Sequence, residues 1–153
     1  MTLASKWRRF RELRRGERVL LAKAWLGLQV AWLALRLLPF PSIQSRLNDG
    51  RLDRSNGNAA TSPIDLGRLI EMASRVSPLP TTCLTKSVLM CWMLRRRGIA
   101  HELVIGVRQG EAGLQAHAWV ECKGSPVNDH GDIAAQFHPL QYIEGAVPVK
   151  DLL

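Results

Sequence analysis

Apolar residues in this chain recur every three or four positions as far as Arg97. Past Gly98 the spacing changes to that of extended chain. Helical segments followed by short strands on tight turns restrict the chain to an α+β domain, with helices packed on an antiparallel sheet. Pro63-Ile64-Asp65 opens one helix, with Leu66, Leu69, Ile70, Ala73 and Val76 as its apolar positions, and Pro78 and Pro80 close it. A second starts at Thr81 or Thr82, both plausible caps, and runs through Cys83, Val88, Met90 and Leu94 to Arg97. Gly98 ends it, and Arg95-Arg96-Arg97 place cations at the negative end of the helix dipole. Strands follow at 101–107 and 114–122, and Pro126-Val127-Asn128-Asp129 begins a third. The turns are 109–113 and 123–125.

The first third differs in character. Val19 to Leu38 is apolar apart from Lys23, Gln29 and Arg36, and Leu21, Trp25, Leu28, Trp32 and Leu35 share one side of a helix. Pro39 and Pro41 stop it. No small-x-small cleavage site follows, against a signal peptide. Lys23 and Arg36 break the roughly 20 apolar residues that a membrane span needs. The expectation is a helix packed on the following domain or on a partner, with peripheral membrane contact through 1–40 left open. Residues 44–63 are small, polar and turn-rich. The expected organisation is a basic, apolar helical segment over 1–43, a linker over 44–62 and a catalytic domain over 63–153.

Residues 1–54 carry 12 Lys/Arg against 4 Asp/Glu, whereas residues 55–153 carry 9 of each. The net +8 therefore belongs to the N-terminal third alone, and no nucleic-acid reader motif accompanies it. Nucleic acid is not an expected partner. Three cysteines are too few for a disulfide framework and imply free thiols in a reducing, cytoplasmic setting. His101, His130 and His138 lack metal-ligand spacing with any cysteine pair, and no phosphate-cradling or dinucleotide loop is present, so neither metal nor cofactor is expected.

Cys83 sits at a helix start, where unpaired backbone N–H groups and the dipole favour a thiolate. Such a nucleophile needs a base, and the base an orienting group. His117 on a strand and Asp129 twelve residues on supply them if the sheet packs its face against the Cys83 helix. The Cys83 N–H is then a candidate oxyanion donor. Asp132 competes for the acid's role. Trp119 and Glu121 share a strand face with His117, as packing or pocket wall. Cys91 and Cys122 read as structural.

The strings Thr82-Cys83-Leu84-Thr85-Lys86-Ser87, Leu94-Arg95-Arg96-Arg97-Gly98-Ile99, Leu103-Val104-Ile105-Gly106-Val107, Ala116-His117-Ala118-Trp119-Val120-Glu121 and Val127-Asn128-Asp129 occur in this order. Together they resemble the leader peptidases of lasso peptide biosynthesis, a transglutaminase-like cysteine protease family. The likeness runs from about Ile64 to Asp129, and the N-terminal helix ending in Leu38-Pro39-Phe40 is also typical of it. By resemblance, Cys83 is the nucleophile, His117 the base and Asp129 the orienting acid of a papain-like fold. The same resemblance implies cleavage of a ribosomally made precursor after its leader, freeing the amine that an asparagine-synthetase-like cyclase then uses. It further implies a separate leader-recognition protein, since no winged-helix-like domain is evident here. The exposed side of the Trp25/Trp32 helix is the expected docking face. Two alternatives stand beside this reading: another transglutaminase-like acyltransferase or amidase, and a non-catalytic basic scaffold at a membrane surface. Residues 130–153 carry no pattern that assigns them.

Overall fold

A computed structural model of the chain describes residues 15–48, 61–111, 113–129 and 132–140. Among the described residues four helices precede the sheet: α1 (Arg15–Leu37), α2 (Phe40–Asn48), α3 (Pro63–Ser74) and α4 (Cys83–Arg95). The sheet comprises β1 (Glu102–Gly110), β2 (Gly113–Cys122), β3 (Ser125–Pro126) and β4 (His138–Pro139), with a short helix α5 (Ile133–Gln136) before β4. Its order is β3-β2-β1-β4, antiparallel throughout. The α+β architecture expected from the change of period is the one found.

Local chemistry sets the helix ends. Ser62 caps α3 by accepting from the Asp65 N–H at 3.1 Å, and Pro63 follows in the first turn, where no donor is lost. Thr82 caps α4 in the same way, accepting from the Thr85 N–H at 3.2 Å. Gly98, at φ +66°, closes α4, and the Ile99 N–H returns to the Leu94 carbonyl. Lys123 and Gly124 both take positive φ, the two-residue hairpin turn whose twist matches the strands it joins.

α4 is the central helix. Leu84, Val88, Leu89, Met90, Cys91, Met93 and Leu94 are buried around most of its circumference. α1 joins the same core through Ala24, Leu28 and Ala31. Its two alanines allow close approach, and the Trp25 indole N–H donates to the Val76 carbonyl at 3.2 Å. The partners differ from the sequence expectation at Val76, which is exposed because α3 ends at Ser74. Residues 44–48, expected in the linker, are helical. Pro41 falls in the first turn of α2, where proline is tolerated, and Ile43 is buried in the core. Residues 49–60 of that expected linker lie outside the described residues.

Two strand expectations change. β3 spans only Ser125–Pro126, because beyond the Val127 N–H to Val120 carbonyl bond the Asn128 side chain replaces the backbone as the partner of β2. The segment after Asp132 contributes β4 at the other edge, pairing with Gly106 and Val107.

Gly67 marks a close approach. A methyl group there would collide with the Val127 carbonyl oxygen, so α3 lies directly against the segment that leads into Asp129. A backbone carbonyl cannot yield as a side-chain tip can. Gly67→Ala is therefore expected to destabilise the protein by about 1–3 kcal/mol despite alanine's better helix propensity. Urea denaturation checks this, and an unchanged or raised midpoint would refute the contact.

Candidate active site

Alternation along β2 gives its two faces different work. Ala118 and Val120 point into the main core with α4, whereas Trp119 faces a second cluster with Ile133, Phe137 and Val104. His117 belongs to the Trp119 side. Its ring lies 5.3 Å from that of Phe137 and 6.3 Å from that of Trp119, nearly parallel to the latter. Trp119 is fully buried and its indole N–H donates to Glu121 at 2.7 Å, so both residues serve packing rather than chemistry. Gly106 on β1 makes room for that indole, since a Cβ there would sit 2.7 Å from it. The Arg108 guanidinium lies over the Phe137 ring at 4.7 Å.

His117 Nε2 is hydrogen-bonded to the Asp129 carboxylate. Nδ1 is then the ring nitrogen left to exchange a proton with a thiol. Asp132, the competing acid, instead sits exposed at the start of α5. Both members of the His117–Asp129 pair are half-buried, near enough to solvent for a substrate to reach.

Cys83 occupies the first turn of α4, half-buried beside the main core. Alternation along β2 does not say which sheet face meets the Cys83 helix; α4 packs against the face that carries Ala118 and Val120, opposite the one that carries the imidazole. The thiol and His117 are not hydrogen-bonded to each other. What brings the two elements together is the outer edge of β2. Ser87, one turn after Cys83 on the same side of α4, donates its hydroxyl to the Ala118 carbonyl at 3.0 Å. Asn128 donates to Ser87 Oγ at 2.9 Å and accepts from the Val120 N–H at 2.7 Å. The helix that begins with Cys83, the residue after His117 and the residue before Asp129 are thus joined by one largely buried network.

Ser87 and Asn128 are the residues tying the candidate site together that motif reading passed over. Their signal was a fully buried-type position filled by serine one helical turn past the cysteine, and an amide directly preceding the acid. A further tie is the Lys86 ammonium, 3.0 Å from Glu71 on α3. Burial alone would raise the Glu71 pKa, but hydrogen bonds and charge from Lys86 and Arg75 outweigh it and leave it lowered. The other two cysteines behave as expected of structural thiols. Burial, with a smaller contribution from neighbouring Cys122, pushes Cys91 up to about 12, and burial also raises Cys122. Among the described residues, no group of His, Cys, Asp and Glu is arranged to hold a metal ion.

The transglutaminase-like superfamily profile matches residues 24–142, most of the chain, and the chain belongs to that superfamily. Its members point to papain-like peptidase or acyltransferase chemistry. Comparison with curated proteins and with solved structures gives no significant match in either case.

Removing the Asn128 amide leaves the Val120 N–H without its acceptor in the interior. Asn128→Ala should cost about 1–3 kcal/mol in urea denaturation, and a loss no larger than that of an exposed asparagine would show the network to be dispensable. A raised thiol pKa keeps Cys91 and Cys122 protonated at neutral pH. Limiting iodoacetamide should therefore modify Cys83 ahead of both in peptide mass spectrometry, and faster labelling of Cys91 would contradict its burial.

Proposed function

We propose that the protein is a cysteine peptidase that removes the leader from a ribosomally made lasso precursor peptide. The observation that carries the chemistry is the His117–Asp129 hydrogen bond, anchored through Asn128 and Ser87 to the helix that begins with Cys83. The lasso assignment rests on the resemblance of the cysteine, histidine and aspartate strings and their order along the chain.

In this mechanism His117 Nδ1 takes the thiol proton and the Cys83 sulfur attacks the scissile carbonyl at the leader–core junction. Charge on the resulting oxyanion is met by the Cys83 backbone N–H, one of the donors that a helix start leaves without an intrahelical partner. The C–N bond then breaks as the imidazolium returns its proton to the leaving amine of the core peptide. The leader remains on sulfur as a thioester. Water, deprotonated by the same imidazole, attacks the thioester, releasing the leader acid and restoring the thiol. Asp129 holds the ring in the orientation that presents Nδ1 and stabilises its charged form. Thiol and imidazole must close to hydrogen-bond distance for the first step, a contact that sites of this kind often tighten only around bound substrate.

The partners this reading requires are the precursor, a separate leader-recognition protein and the asparagine-synthetase-like cyclase that consumes the freed amine. The test is incubation with a lasso precursor and its leader-recognition protein, followed by mass spectrometry. A single cut at the junction is expected, with Cys83→Ala and His117→Ala each lowering the rate by about a thousandfold or more. Asp129→Asn should lower it less if its role is orientation. Cleavage undiminished in Cys83→Ala would sink the peptidase reading. Amide transfer to an added amine, with no cut precursor, would favour the acyltransferase alternative.

A further inference from the structure

α1 carries two apolar surfaces, and the fold uses only one. Ala24, Leu28 and Ala31 are buried against the domain. On the far side Val19, Leu26, Val30, Leu33 and Leu37 recur at steps of seven, four, three and four, a stripe along the helix that the exposed Lys23 interrupts once. They are 54%, 60%, 61%, 50% and 71% exposed. A scattered exposed leucine needs no explanation, but an aliphatic ridge with a single lysine in it, along a helix roughly 35 Å long, does.

We propose that this ridge lies in the surface of an anionic lipid bilayer, with α1 parallel to the membrane plane. Charge argues for that occupant. Residues 1–38 contain nine Lys/Arg and two Asp/Glu, a strong excess of the sign that anionic headgroups attract. Lys23 is exposed within the stripe, between Val19 and Leu26, where its stem can lie along apolar surface with the ammonium reaching up to the headgroups. A second copy of this chain is the poorer occupant, because it would bring the same positive segment against this one. The apolar residues of the ridge are also all aliphatic, without the tryptophan, tyrosine or arginine anchors that dominate protein interfaces. Trp25 and Trp32 stand to the side of it, the first bonded to the Val76 carbonyl and the second beneath the Arg36 guanidinium at 5.1 Å. Such flanking positions suit indoles at the headgroup level.

By length and mean hydropathy, 1.4 over its most apolar window, α1 could cross a bilayer. Its buried face excludes that while the domain is folded, since Leu28 is wholly covered and the Gln29 amide donates to Ser77 at 3.0 Å. Lying in the interface satisfies both faces at once.

The experiment is flotation of the full chain with phosphatidylcholine vesicles, with or without phosphatidylglycerol, at low and high salt. Wild type should float with the anionic vesicles at low salt and lose most of that binding at high salt. The doubly substituted Leu26→Gln, Leu33→Gln protein should partition at least about tenfold less. Both side chains are largely exposed, so thermal unfolding should be unchanged, which separates lost binding from lost fold. Equal flotation with neutral vesicles, no flotation with either, or undiminished binding of the double variant would overturn the proposal. So would concentration-dependent self-association by light scattering that the double variant abolishes without any vesicle binding. Because peptide cleavage is read separately, neither result decides the other.

Discussion

The arrangement depends on how the outer edge of β2 is closed. An edge strand leaves a row of backbone donors and acceptors unpaired, and β3, only two residues long, cannot cover them. Ser87 takes the Ala118 carbonyl and Asn128 takes the Val120 N–H, while each bonds the other. Two side chains thus do what a longer strand would have done. The substitution has a geometric result that another strand could not give: it draws the start of α4 and the Asp129 segment to the same stretch of β2. Gly67 then permits α3 to press on that segment from outside.

The site is therefore held at an edge rather than between a helix and a sheet face. The core face of β2, with Ala118 and Val120, fixes where α4 lies; the other face, with Trp119, Phe137 and Gly106, fixes where the imidazole lies. Asp129 reaches His117 from a segment that has already left the ladder. His117 and Asp129 thus lie beside the aromatic cluster yet keep about a quarter of their side-chain surface exposed to solvent.

Much of this was legible in the sequence. The helix starts at Pro63 and at Thr81 or Thr82, the stop at Gly98 and the turn from Lys123 follow from local chemistry that tertiary packing has no reason to override. The spacing favours Asp129 as the partner of His117, with Asp132 as its rival; His117 is hydrogen-bonded to Asp129, and Asp132 stands exposed at the start of α5. What the sequence could not show was the sidedness of the sheet. Alternation says that His117 and Ala118 point opposite ways but not which of them meets the helix, because both faces are buried here. β4 was invisible because two residues are too few to display a period. Nothing near Gly67 in the sequence announces its role, because what it accommodates, the Val127 carbonyl, is sixty residues away.

The division of β2 into two unlike faces bears on how such a protein could diversify. Residues on the core side answer to the packing of three helices, so they have little freedom to change. Those on the imidazole side, from Phe137 to the Arg108 guanidinium above it, answer mainly to one another. A lineage could recast that aromatic platform while the helical body stayed constant, because a strand's alternation insulates the two sets of substitutions from each other.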